Sequence, residues 1–564
     1  MPTATLSRAR VAALLPPSAA AEPWDDLLFV SKAELESSDG DDLVLSATPD
    51  RLDLLSEGGL ALYLQGVLGA AKGLPRIGPP TDGEAPPAIV VTPGVAPLRP
   101  SIGAVLVRAP AGRALDAGLL AEAVRFQELI HATVGRDRRA ASLGIYPRER
   151  LTLPVRYALE PLAQVRFVPL DGAEEVAGPE FFRDHPMAAR YGALGRSGDG
   201  CLTLRDRDGA VLSLPPILNG RSAGEARTGD RELLLESTGT RERSVRESLG
   251  LLLVPFVAQG WSVVPVPRRG GPDDGADGRA LVEPRSVALP SALLRSIAGT
   301  ALTSAEVEHR LARARLGGRP HAGGWTLEVP PWRPDLLAPV DAAEDVILAG
   351  GVRAEDGIVP PSRTRGRRIP AAALRRTVGS WLLGLGYAPP NTPVLVSEEI
   401  VARVGGAAPI RLHHPVSAEF AFVRDRLFPS HLLVLAKNTR YGYPQRFAEV
   451  APVVVRDPSA ESGGATRYHA AAVLAADSAG FADAAALVDY LLRGLDVGAV
   501  REPAELPGTI PGRAARVRVA GESVAEIGEV HPRLLTELGV PVPVAWAEVD
   551  LTALDPLLAR PGSA

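Results

Sequence analysis

Residues Val211–Thr240 read VLSLPPILNGRSAGEARTGDRELLLESTGT. Up to Leu214 the pattern is that of a strand, and the Pro215–Pro216 pair interrupts it, because proline brings no backbone N–H to a ladder. From Arg231, RELLLESTG predicts a second short strand ending in a turn at Gly239. Side chains alternate along a strand, so Glu236, Thr238 and Thr240 are expected on one face. Ser213, Asn219, Glu236 and Thr238 are then polar groups set among apolar strand positions. They suit a pocket that holds a water and a carbonyl, and equally turn and cap chemistry around Gly239.

Working outward, IGAVLVRA (residues 102–109) reads as a strand. LLAEAVRFQELIHATVGRDRR (119–139) reads as an amphipathic helix, with Leu120, Val124, Leu129 and Val134 as candidates for burial. SVRESLGLLLVPFVAQG predicts a helix with Val245, Leu249 and Leu252 inward. Upstream, SATPDRLDLLSEGGLALYLQGVLG ends in a helix. Downstream, SALLRSIAG and SAEVEHRLARARLGG give a helix–turn–helix-like rhythm before the strand WTLEVP. AALRRTVGSWLLGLGY, SEEIVARVGG and PSHLLVLAKNTR continue as helices followed by several strands. Stretches rich in Pro and Gly, at 73–97, 268–279 and 356–370, read as linkers. They leave four parts, 1–75, 95–267, 280–356 and 370–564, and the fold class is α+β, multidomain.

The 564 residues are 46% hydrophobic and 23% charged, with net charge −5 and pI near 6.1, as for ordinary globular domains. A stand-alone nucleic-acid binder has a strong basic excess, so any RNA contact is local or shared with a partner. The lone cysteine, Cys201, excludes a disulfide within the chain and a multi-cysteine zinc site, and reads as a small half-buried hydrophobe. No run of about 18 apolar residues predicts a membrane span, the first 20 residues lack a signal-peptide layout, and the cytoplasm is the expected location.

The densest acidic group lies in PPWRPDLLAPVDAAEDVILAGG (330–351). On a helix Asp341, Glu344 and Asp345 share a face, with Asp335 just before it. Converging oxygens suit a hard cation such as Mg²⁺, and acids in a first helical turn equally suit the helix dipole. HExxH and GxxxxGK[ST] patterns are absent.

In order along the chain, these segments resemble the β subunit of phenylalanyl-tRNA synthetase, archaeal/eukaryotic type. ATPDRLDLLSEGGLA resembles "NRxDLLxxEGLA" through Arg51, Asp53 and Leu54. FQELIHATVGRDRRAASLGI resembles "QEKLH…RKR…IG" through Gln127, Glu128, His131, Arg136, Arg138 and Gly144. VLSLPPILNG and LLLESTGT resemble "LSxPPIING" and "FI(D/E)xTGTD", and PPWRPDLLAPVDAAEDVILAGG resembles "PPTRxDIxxxxDxxEDxAxxYG". HPVSAEFAFVRDRLFPSHLLVLAKN, IPGRAARV and IGEVHPRLL resemble "NPxxxEfxxxRtsLLPgLLxxlxxN", "FPGRxAxI" and "IGxxHPxVL".

The resemblance implies an (αβ)₂ heterotetramer in which the α subunit uses ATP to activate phenylalanine and charge tRNA(Phe). For this chain it implies a mixed α/β editing domain at 95–267 and a helix–turn–helix-like (B5) domain at 280–356. It also implies a class II synthetase catalytic-like antiparallel-sheet domain at 370–564 that lacks the catalytic motifs. It places Asp335, Asp341, Glu344 and Asp345 at a Mg²⁺ site shared with the α subunit, and Ser213, Asn219, Glu236 and Thr238 at a site hydrolysing Tyr-tRNA(Phe). Such editing has a physical motive: an apolar pocket rejects an isostere that adds a hydroxyl by only about a hundredfold. The chain departs from the family at Arg241 in TGTD, at His414, at Ala448 and Pro452, and where "HDLD" reads YPRE (Tyr146–Glu149). Those departures also suit a divergent paralogue with a scaffold or specialised role that has lost editing. A DNA-binding protein and a Mg-dependent hydrolase are further readings of the helix–turn–helix-like part and the acidic group.

Overall fold

The computed structural model describes residues 1–17, 19, 23–29, 31–77, 88–271, 274–351, 365–404 and 409–558. Parts of all three expected linkers (78–87, 272–273 and 356–364) therefore lie outside the described residues. The chain divides into two compact units, Met1–Val359 and Pro360–Ala564.

The first unit opens on a three-stranded antiparallel sheet in the order Thr3–Ser7, Asp42–Ala47, Ala33–Asp39. The helix Glu57–Val67 follows, its start fixed by Ser56 Oγ, which accepts from the Gly59 N–H at 3.0 Å. Gly59 is required there, since a Cβ would stand 1.8 Å from the Asp53 carbonyl oxygen.

A four-stranded antiparallel sheet then runs Ser262–Pro265, Ser101–Arg108, Glu232–Gly239, Ala141–Pro147. Period-2 alternation splits its residues between two cores. Val105, Leu143, Leu233 and Leu235 meet Phe126, Ile130, Leu249 and Leu252 of the helices Ala117–Ala132 and Glu242–Leu252. Ala104, Leu106, Tyr146 and Leu234 face the other way, toward Leu202, Leu204 and Leu212 of a second, seven-stranded sheet. Glu236 and Thr238 lie on this second face, in register with Gly144 and Ser142 of the edge strand.

The helix Ala117–Ala132 buries a different stripe from the expected one. Leu119, Ala123, Phe126 and Ile130 are buried, Leu120, Leu129 and Val134 are partly buried, and Val124 is 49% exposed. The start of the helix is fixed by Asp116, whose carboxylate accepts from the Leu119 N–H at 2.8 Å. Cys201 is fully buried, not half-buried.

The rest of this unit is a three-stranded sheet (Arg285–Pro290, Gly324–Val329, Gly317–His321) covered by the helices Ser291–Ala298, Ser304–Arg313 and Pro339–Gly350. Thr303 and Glu306 close a capping box on the second helix.

The second unit is built on a six-stranded antiparallel sheet in the order Gln445–Arg456, Gly464–Ala475, Val544–Asp550, Glu522–Val530, Thr509–Val519, Val500–Pro503. One face packs on the helices Pro370–Gly384, Phe481–Gly494 and Leu551–Leu558 through Ala470, Ala472, Ala547 and Ile527. The other receives the helix Phe428–Lys437 against Val473, Val544 and Trp546. Among the described residues no helix is long and apolar enough to cross a membrane.

Candidate functional site

Beside the edge strand Ala141–Pro147, a cleft of about 350 Å³ opens between the helix Ala117–Ala132 and the Leu214–Asn219 corner. Leu120, Val124, Leu143, Ile145 and Pro216 give it apolar walls. This explains why Leu120 and Val124 sit off the buried stripe of their helix. Ser213, Asn219 and Glu236 line the cleft together, whereas Thr238 does not. Thr238 is buried behind it, its hydroxyl 3.0 Å from Ser142 Oγ and its carbonyl accepting from Arg99 Nη2 at 2.6 Å.

The floor is a chain of three polar groups. Tyr146 Oη donates to Glu236 Oε2 at 3.0 Å and lies 2.9 Å from Ser213 Oγ. Gly144 leaves room for that phenol, since a Cβ there would lie 2.1 Å from the Tyr146 oxygen. Glu236 Oε1 is buried and lacks a well-directed hydrogen bond. Burial pushes the Glu236 carboxyl up to about 8, against the pull of the Tyr146 hydrogen bond and the Arg99 charge. At neutral pH this carboxyl is therefore mostly protonated. Burial, with the neighbouring Glu236 charge, drives the Tyr146 phenol well above its ordinary value.

The mouth carries charge of a different kind. Arg138 Nη2 donates to Glu128 Oε1 at 2.9 Å, and Arg138 Nη1 to the Ile217 carbonyl at 2.9 Å. His131 Nδ1 lies 3.1 Å from Glu128, and His131 Nε2 accepts from the Leu143 N–H at 2.8 Å. Burial lowers the His131 pKa. For Glu128 the opposing effect of burial is outweighed by His131 and Arg138, which bring it down to about 2. Asn219 Nδ2 donates to the Gly224 carbonyl at 3.2 Å, leaving one amide N–H for a ligand.

The acidic group at 335–345 is dispersed. Buried Arg333 donates to both oxygens of Asp335 and pairs with Asp345 at 2.7 Å. Asp341 turns back to accept from the Leu337 and Ala338 N–H groups at 2.9 and 2.7 Å. Glu344 points outward to Lys32, which also holds Asp50 at 2.8 Å. Among the described residues no three His, Cys, Asp or Glu side chains are gathered to hold a metal ion. The acids of this chain do not by themselves fit Mg²⁺: a guanidinium, two backbone N–H groups and an ammonium each already hold at least one oxygen of these side chains.

Two segments match known families: residues 287–351 the tRNA synthetase B5 domain, and residues 357–551 the phenylalanyl tRNA synthetase beta chain CLM domain. The phenylalanine–tRNA ligase beta subunit of Thermofilum pendens is 31% identical over 546 residues, 96% of each chain. That of Korarchaeum cryptofilum is 30% identical over 560 residues, 98% of each chain. The chain belongs to the phenylalanyl-tRNA synthetase β-subunit family. An N-terminal fragment of the β subunit from Pyrococcus horikoshii, known from its crystal structure, shares the fold with a TM-score of 0.54 at 24% identity, covering 62% of this chain and all of the fragment.

In this β-subunit chain the B5 segment is the three-stranded sheet with its helices, and the CLM segment contains the six-stranded antiparallel sheet. The departures from the family pattern are accommodated locally. Tyr146 supplies the cleft floor, and Ala448 is buried in the core beneath Pro370–Gly384. The Pro452 carbonyl accepts from Arg424 at 3.1 Å, and Arg241 is exposed at the start of the helix Glu242–Leu252. Sequence reasoning gave no cleft role to Tyr146, Leu120 or Val124. The signal for Tyr146 was present, as an aromatic two positions after a glycine on the same strand face.

Proposed function

We propose that this β subunit supports ATP-dependent charging of tRNA(Phe) by an α subunit within an (αβ)₂ heterotetramer, and that its cleft hydrolyses mischarged Tyr-tRNA(Phe). The four sequence parts would divide this work, with the cleft in 95–267 and the partner scaffold in 370–564. The assembly would act in the cytoplasm; ATP and Mg²⁺ would serve the α subunit.

One observation carries the hydrolytic reading: a cleft with apolar walls that ends in the Ser213–Tyr146–Glu236 floor. The walls take an aromatic ring. Tyr146 Oη, having donated to Glu236, keeps acceptor capacity for a substrate phenol. A floor built for a hydroxyl rejects the analogue lacking one far more strongly than an apolar pocket rejects an added one. A protonated Glu236 is a poor base, which favours its role in holding the phenol end over activating water. At the mouth, ionised Glu128 pairs with the α-ammonium, and the spare Asn219 N–H faces the ester oxygen as water adds to the carbonyl. The bond from the acyl carbon to the ribose oxygen then breaks, the ribose oxygen takes the proton, and tyrosine and tRNA leave.

The test is deacylation of preformed Tyr-tRNA(Phe) and Phe-tRNA(Phe) by the purified αβ complex. Loss of Tyr-tRNA(Phe) with sparing of Phe-tRNA(Phe), abolished by Glu236→Ala, supports the reading. A stable complex that leaves Tyr-tRNA(Phe) intact points to a scaffold paralogue, a second reading favoured by Tyr146 occupying the floor.

A further inference from the structure

The turn after the helix Ala117–Ala132 adopts an uncommon conformation. Arg136, Asp137 and Arg138 have φ of 51°, 53° and 62°, three successive side-chain-bearing residues in the left-handed region. Such a run persists only where surrounding contacts fix it, and it is found most often at ligand clamps and functional sites. Here it sends Arg138 inward to the cleft and leaves Arg136 and Arg139 exposed. The helix Pro186–Gly195 brings Arg190 and Tyr191 to the same turn. The guanidinium groups of Arg138 and Arg190 lie 4.7 and 4.8 Å from the Tyr191 ring centroid. Asp137 Oδ1 accepts from Tyr191 Oη at 2.9 Å and from Arg190 at 3.2 Å, and Asp137 Oδ2 lies 3.6 Å from Arg139. Two exposed guanidinium groups, of Arg139 and Arg190, thus flank one carboxylate, with exposed Arg136 next to it in the chain, on a protein of net charge −5.

We propose that Arg136, Arg139 and Arg190 form a docking surface for the phosphodiester backbone of the RNA strand whose 3′ end delivers the ester to the cleft. The inference rests on the hydrolytic reading of that cleft. Guanidinium groups match phosphate oxygens in a planar, bidentate manner, and that of Arg190, stacked on the Tyr191 ring, is already oriented. Arg138 joins the two regions, since it lines the cleft and belongs to the turn that presents the rim. A local cluster of this kind also reconciles RNA contact with the chain's acidic balance.

The test uses the αβ complex carrying Arg136→Ala, Arg139→Ala and Arg190→Ala together, with the corresponding triple Lys variant as the charge-preserving control. Steady-state deacylation of Tyr-tRNA(Phe) is followed against salt, alongside fluorescence anisotropy of an RNA hairpin ending in a single-stranded 3′ ACCA. The Ala variant is expected to raise KM about tenfold with kcat unchanged. It should flatten the log–log salt dependence by about 2, at roughly 0.7 per single-strand phosphate contact. Hairpin affinity falls in parallel, and the Lys variant recovers much of both. Unchanged KM and hairpin affinity overturn the proposal, and so does a loss confined to co-purification with the α subunit, which would make the rim a protein interface. If the wild-type complex spares Tyr-tRNA(Phe), the hydrolytic reading fails on its own. Hairpin binding then still decides the rim: salt-sensitive binding lost in the Ala variant upholds it, and no binding by the wild type overturns it.

Discussion

Glu236→Gln should alter the pH dependence of stability in a calculable way. The folded protein holds the Glu236 proton far more tightly than the unfolded chain, because burial moves the carboxyl from 4.5 to about 8. The resulting stabilisation is complete below pH 4.5 and is lost as the pH rises through about 8. At about 1.36 kcal/mol per pH unit the full span is about 5 kcal/mol, of which about 3 kcal/mol falls between pH 5.5 and 8. A glutamine keeps the shape and accepts the Tyr146 hydrogen bond, but it has no proton to lose. The wild-type chain should therefore lose about 3 kcal/mol more than Glu236→Gln over that interval, measured by denaturant unfolding with a probe in the first unit. Parallel pH profiles for the two proteins would refute the idea that Glu236 is buried as a neutral acid.

Other outcomes follow from the charged groups. In the second unit His469 Nδ1 lies 2.6 Å from Glu548, and these partners, with Asp550, outweigh burial and raise its pKa to about 9. His469→Gln should cost about 3 kcal/mol more below pH 6.5 than above pH 9, because stabilisation by the protonated imidazole is lost as pH rises through 9; an equal loss at both ends would refute the assignment. Asp345→Asn removes one of two acidic partners of the buried Arg333, which stays paired with Asp335, and should destabilise the first unit by about 1–3 kcal/mol, read from its unfolding midpoint. Millimolar Mg²⁺ should leave the melting temperature of the isolated chain unchanged, since Arg333, Lys32 and backbone N–H groups already occupy the four acids; a clear rise would show that Arg333 yields them.

The strand Glu232–Gly239 was legible because its alternation is local: Leu233 and Leu235 against Glu236 and Thr238 needs nothing beyond a period of two. The helix Ala117–Ala132 was legible as a helix but not in its buried face. Leu120 and Val124 are as apolar as Leu119 and Phe126, and only the tertiary arrangement shows that they wall a cleft. The same limit applied to the acids. Spacing placed Asp341, Glu344 and Asp345 on one helix, but the partners that separate them come from Arg333, from backbone N–H groups and from Lys32, distant in sequence. Ser213 and Glu236 were selected as residue types that do chemistry, whereas Tyr146, which joins them, read only as a departure from a motif.

The bond from Lys32 to Glu344 spans 312 positions, and Trp332 shares a core with Leu54 and Leu55. On the ribosome the N-terminal sheet therefore emerges long before its last neighbours exist. At about 5–20 residues per second, roughly 15–60 s pass between synthesis of Lys32 and of Glu344. Through that interval the leucines at 52–64 lack part of their cover, which makes the nascent first unit a natural client for chaperones.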